Sequence, residues 1–219
     1  AYAIIMPAFY LPVLIMLAAL IFRGVAFEFR HKAVRPTTQK FWNGAFFGGS
    51  AIAALSQGLM LGGMIQGITV EGGAFAGGAF DWLTPFSLLV GISVIIGYLM
   101  LGACWLVLKT EGDLFLRARK WARTALAGVA ICFLAVSLAT LAIDPSVGER
   151  WGFSMTHIDF ARLLPLSPAP LAGMFFCAWL WRDLSMPTGQ GDAPDWRPYL
   201  LAVGIFLSGY IGLGFSLYP

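Results

Sequence analysis

The sequence predicts an all-α fold, a polytopic bundle of about six transmembrane helices within a segment of a longer subunit. Three observations carry this expectation. Of the 219 residues, 59% are hydrophobic and only 11% charged, where soluble domains carry roughly 25% charged residues. The mean hydropathy of +0.79 is too high for a water-solvated surface. Apolar runs of bilayer length recur between short loops that hold nearly all the charge. With lipid as the main solvent, backbone polar groups must be satisfied inside the chain, and without an alternating strand pattern helices do this.

The predicted spans, taken in order, form a single transmembrane domain over residues 1–219. The first, residues 4–22, carries no charge and contains Pro7 and Pro12, which membrane helices tolerate. The second, residues 43–65, holds Gly44, Gly48, Gly58 and Gly62 at four-residue spacing, with Gly63 and Gly67 running just beyond it. Such small-residue faces let helices approach closely. The third, residues 85–108, opens on Pro85 and ends at Lys109; the fourth covers residues 124–143. The fifth, residues 163–181, is interrupted early by Pro165, Pro168 and Pro170. The sixth, residues 199–218, repeats the small-residue spacing at Gly204, Ser208 and Gly212. The glycine-rich stretch from Gly72 to Gly78 lacks the Lys-Ser/Thr of a phosphate loop and reads as a flexible outer loop.

Loop charge alternates. Residues 23–40 hold Arg23, Arg30, Lys32, Arg35 and Lys40; residues 66–84 hold no Lys or Arg; residues 109–123 hold Lys109, Arg117, Arg119, Lys120 and Arg123. The positive-inside rule makes the first and third of these loops cytoplasmic. Tryptophans crowd the span borders, as an interfacial belt requires. The chain opens on Ala1 rather than Met, with no basic leader and no small-residue cleavage site, so a segment of a longer protein is expected.

No Asp, Glu, Lys, Arg or His falls in the middle of any predicted span, and intramembrane charges are what mark ion pathways. The histidines, His31 and His157, lie in loops, and Cys104, Cys132 and Cys177 share no metal-like spacing and read as packed thiols. No nucleophile–base pair, paired carboxylates or nucleic-acid module emerges. Polar chemistry is left to the borders. If the first helix runs past the bilayer, Glu28 and Lys32 become an i,i+4 pair. That end is then either a solvated helix end or a polar access point, with Arg23 beside it. The segment KTEGDLFLRARKWAR forms a second border cluster suited to a helix lying at the headgroups. Asp183, Asp192 and Asp195 read as ordinary loop acids. Gln57 and Gln66 are candidates to hydrogen-bond across helices or to line a polar path.

Several motifs are familiar in their order. The stretch AFYLPVLIMLAALIFRGVAFEFRHK, with Arg23-Gly24-Val25-Ala26-Phe27-Glu28-Phe29-Arg30, resembles the Arg-(Pro/Gly)-Val-(Gly/Ala)-Phe-(Asp/Glu)-(Tyr/Phe)-Arg motif of subunit II of cytochrome bd-type quinol oxidases. FWNGAFFGGSAIAALSQGLMLGGMIQG, the Pro85-Phe86 helix start, the TEGDLFLR loop and the GFSLYP ending are similar to later elements of that family, and the cyanide-insensitive branch is one home the motifs allow. The resemblance implies a subunit of an oxygen-reducing, non-pumping quinol oxidase of the aerobic respiratory chain in the bacterial inner membrane. The partner subunit I would carry haems b and d, or a b variant, with none ligated by this chain. A quinone and a small accessory subunit are further partners it allows. It implies that Arg23 and Glu28 serve a proton path or the subunit interface. Glu28 stands where Asp is common, and Gly24 where Pro is common. The family's first helices, with its main proton-path carboxylate, are expected before Ala1, and its last helix beyond Pro219. A small-solute permease and a structural membrane anchor are the other readings.

Overall fold

A computed structural model of the chain describes residues 2–143, 168–186 and 195–217. Among the described residues, seven helices run in the order α1 (Tyr2–Ala8), α2 (Tyr10–Lys32), α3 (Pro36–Gln66), α4 (Pro85–Lys109), α5 (Gly112–Ile143), α6 (Pro168–Ser185) and α7 (Arg197–Leu217). Among the described residues, five helices are long and apolar enough to cross a membrane: Tyr10–Lys32, Pro36–Gln66, Pro85–Lys109, Gly112–Thr140 and Arg197–Gly214. The fifth predicted span corresponds to α6, and its start at residues 163–167 lies outside the described residues. The chain divides into two compact units, Ala1–Ile95 and Ile96–Pro219, with the boundary inside α4.

Helix ends depart from the apolar runs. The first predicted span breaks at Phe9, between α1 and α2. Pro12 has no N–H for the carbonyl of Ala8, so the ladder is interrupted there. Beyond the break, α2 continues ten residues past Phe22 to Lys32, about 15 Å of further helix at 1.5 Å per residue. The cluster at residues 109–123 is not a separate surface helix. After Gly112, which takes a positive φ of +63°, it forms the opening turns of the 32-residue helix α5. The glycine-rich loop is partly ordered: Val70–Glu71 pairs antiparallel with Ala74–Phe75. Gly72 and Gly73 turn between them at φ +57° and +82°, the left-handed pair a two-residue hairpin turn needs.

In the first unit, α3 is the spine. It packs along α2 at Gly49, where an added Cβ would stand 2.8 Å from the Ala19 carbonyl oxygen. It meets α4 more closely still: a Cβ on Gly58 would fall 2.4 Å from the Gly91 Cα, and one on Gly62 2.5 Å from the Ser87 Cα. The Gly44–Gly48 pair, by contrast, faces open space. The α4 start is fixed by a reciprocal cap: Ser87 N–H donates to Thr84 Oγ1 at 3.0 Å, and Thr84 N–H to Ser87 Oγ at 2.9 Å. Pro85 follows the cap residue, where its missing N–H costs nothing. Trp82 is buried with Ala8, Phe9 and Leu59, and its Nε1 donates to the Ala79 carbonyl at 2.8 Å.

In the second unit, Met100, Cys104, Leu126, Leu180, Ala202 and Ile205 form the core where α6 packs on α5 and α7. Gly204 admits the Phe176 ring, and Gly97 that of Phe206. Large apolar side chains such as Ile21, Phe22, Ile131 and Leu138 face outward, as a lipid solvent allows.

Candidate functional site

Arg23 and Glu28 both lie on α2, and the structure does not bring them together. Five residues of helix turn them about 140° apart around the axis. Glu28 Oε1 instead takes Lys32 Nζ at 2.7 Å, an exposed i,i+4 pair on the part of α2 beyond the apolar run. Arg23 turns toward α3. Its Cβ would lie 3.2 Å from a Cβ on Gly49, and its guanidinium sits over the Phe46 ring, 5.4 Å from the centroid. Phe27 joins the same corner, 6.4 Å from Phe46 and 5.5 Å from His31, edge to face. Arg23 is thus a packing element of the α2–α3 hairpin with its charge left at the surface, and Glu28 a solvated carboxylate already matched to a cation.

A second polar centre is one that sequence reasoning read as ordinary loop acids. At the end of α6, past the apolar run that stops at Trp181, the Asp183 side chain is partly buried. Its Oδ2 is shut off from solvent, with no hydrogen-bond partner among the described residues. Burial pushes the Asp183 carboxyl above the usual carboxylate range and the nearby Asp195 carboxylate adds to this, while Arg119 and Arg197 pull it back. Arg119 reaches from α5 to the main chain here, its Nη2 donating to the carbonyls of Asp183 at 2.7 Å and Met186 at 3.0 Å. One turn on, Arg123 lies over Trp181, 4.9 Å from the ring centroid. Nothing in the sequence separates Asp183 from Asp192 or Asp195 except its place directly after an aromatic helical run. The contact also brings the opening turns of α5 and the end of α6 to one end of this unit.

The other candidates are structural. Gln66 accepts a hydrogen bond from Thr84 Oγ1 at the α4 cap. A shallow cleft near Phe9, Phe75 and Trp82 has Asp81 as its carboxylate, and Asp81 Oδ2 already accepts the Gly78 N–H at 2.7 Å. Among the described residues no three His, Cys, Asp or Glu side chains gather to hold a metal ion. His31 is exposed at a helix end against Phe27, and His157 lies outside the described residues.

Long helices with apolar stretches of bilayer length and glycine-mediated helix contacts define a multi-pass helical membrane protein. Over residues 1–219 the chain matches the family described as cytochrome bd terminal oxidase subunit II, and it belongs to that family. It is 31% identical over 137 residues to cytochrome bd-I ubiquinol oxidase subunit 2 of Escherichia coli (strain K12), covering 60% of this chain and 36% of that protein. It is 33% identical over 135 residues to cytochrome bd ubiquinol oxidase subunit 2 of Bacillus subtilis (strain 168), covering 61% of this chain and 40% of that protein. The chain thus spans well under half the length of these curated relatives.

Proposed function

We propose that this chain is part of the haem-free subunit II of a bd-type quinol:oxygen oxidoreductase, an oxygen-reducing and non-pumping enzyme of the bacterial cytoplasmic membrane. It supports a haem-bearing subunit I, which carries haems b and d or a b variant, and it contributes to proton access from the cytoplasm. The observation that carries this reading is family membership over the whole chain. The absence of ionisable residues from the middle of the spans supports it, because a haem ligand or pump residue would belong there. Quinol is the substrate of the complex, and a bound quinone or a small accessory subunit is compatible with the same surface. With loops 23–40 and 109–123 on the cytoplasmic side, Arg23 and Glu28 stand where a proton would approach. Glu28 is the group to relay it, and Arg23 the group that fixes the hairpin around it.

The test is a reduced-minus-oxidised visible spectrum, with quinol-dependent oxygen uptake, of the assembly captured through a tag on the full-length chain. Haem bands with uptake support the oxidase reading; a colourless, helical preparation sinks it and leaves the permease or anchor. In a correctly assembled complex, Glu28→Gln is expected to slow oxygen and proton uptake together. Unchanged rates would remove Glu28 from the path.

A further inference from the structure

The two basic loops carry equal numbers of Lys and Arg, yet the structure uses them differently. At the α4–α5 end the cations are largely engaged by the chain itself. Lys109 lies over Trp105 at 5.4 Å, Arg119 holds two α6 carbonyls, and Arg123 covers Trp181. Arg117 and Lys120 remain, with Glu111 and Asp113 in the same stretch to offset them. At the α2–α3 end, Arg23 lies over the Phe46 ring with its charge kept, and Lys32 is paired with Glu28. Arg30, Arg35 and Lys40 are exposed, and no Asp or Glu occurs between Glu28 and Glu71. Among the described residues, then, Arg30, Arg35 and Lys40 at this end stand exposed without an acidic side chain paired to them.

The same end is ordered and flanked by aromatics. Gln39 Nε2 donates to the Ala33 carbonyl at 2.9 Å, closing the connection between the helices. Phe29 packs on Trp42 across the hairpin at 5.3 Å, and Phe41 stands edge-on to Trp42 at 5.2 Å. Phe29 and Phe41 are exposed. Aromatic rings beside unpaired cations at a helix end are what the headgroup layer of a bilayer accommodates. The matching occupant is a lipid with a net negative headgroup, since each surface cation there gains attraction to an anionic leaflet.

We propose that the α2–α3 hairpin end, through Arg30, Arg35 and Lys40, is a docking surface for anionic phospholipid headgroups, and that the α4–α5 end is not. The test uses the assembly captured through the full-length chain, delipidated in a nonionic detergent and titrated with phosphatidylglycerol. Phosphatidylcholine is the neutral control, and bound lipid is counted by native mass spectrometry. Removing each cation is expected to weaken phosphatidylglycerol binding about fivefold, so the triple variant Arg30→Gln, Arg35→Gln, Lys40→Gln loses roughly a hundredfold. The double variant Arg117→Gln, Lys120→Gln stays within about twofold, and wild-type binding weakens with added salt. If the triple variant fails to assemble, Lys40→Gln reads the same effect, with about a fivefold loss expected and no change overturning the proposal. A triple variant that binds like wild type overturns it. So does carbodiimide coupling of Lys40 to a carboxylate of another subunit, which would show the cations covered by protein.

Discussion

Arg119 on α5 caps α6 by donating through Nη2 to the carbonyl oxygen of Asp183, 64 residues further along the chain, at 2.7 Å. The last carbonyls of a helix have no partner of their own and carry the negative end of its dipole, so a guanidinium there satisfies both needs.

Replacing that guanidinium loosens the end of α6. Arg119→Ala is expected to cost about 1–2 kcal/mol, a partly exposed charge-assisted contact being at the low end of such bonds. Arg119→Lys recovers only part of it, because the shorter side chain holds its ammonium back from the two carbonyls that Nη2 reaches. Thermal melting of the detergent-solubilised assembly checks this, and equal melting of all three forms would show the cap to be idle.

The Asp183 side chain gives a pH signature. A carboxyl whose folded pKa is raised favours the folded state below the ordinary carboxylate range, and that contribution is lost as pH rises through the raised value. Wild-type stability should therefore fall, by this group's share, between acid and neutral pH. Asp183→Asn removes that share. It melts at or above the wild-type temperature at pH 7, and the gap closes in acid. A variant that melts below wild type at pH 7 contradicts the burial-driven shift.

The α3–α4 contact separates glycines that matter from glycines that do not. Gly58→Ala or Gly62→Ala drives a methyl into the backbone of α4 and is expected to cost about 1–3 kcal/mol at each position. Gly44→Ala and Gly48→Ala meet nothing within 4 Å and should be neutral or stabilising by up to about 1 kcal/mol. Thermal stability of the four variants is the measurement; equal losses across them would dissolve the distinction.

Ser87 is fully buried, and its Oγ both accepts the Thr84 N–H at 2.9 Å and lies 2.6 Å from the Trp82 carbonyl, to which it donates. Ser87→Ala is expected to cost about 1–2 kcal/mol, since it leaves the Thr84 N–H and the Trp82 carbonyl without the hydroxyl they share. Hydrogen exchange at the start of α4 should rise with it, and unchanged protection would count against the cap.

The sequence made the membrane class and the helical architecture plain, because hydropathy over ~20 residues reports the bilayer's thickness directly. It misjudged helix ends for the same reason. Glu28, Arg30 and Lys32 are good helix formers but poor membrane residues, so α2 outlasts its apolar run. Pro12 was visible, yet membrane helices tolerate proline, so its presence alone did not place a break at Phe9. The Glu28–Lys32 pair follows from local spacing and was legible. Asp183 was not, since its burial arises from α5 and α7, far away in sequence. Nor did the GxxxG spacing reveal which pair is used: Gly58–Gly62 faces a helix, while Gly44–Gly48 faces open space.

The glycine seam between α3 and α4 also sets an order for assembly in the cell. Gly58 and Gly62 are synthesised before Ser87 and Gly91, so α3 reaches the membrane with a bare stripe of backbone that lipid chains fill poorly. The arrival of α4 displaces those chains and closes the seam in one step. Until then the first unit has no mate for that face.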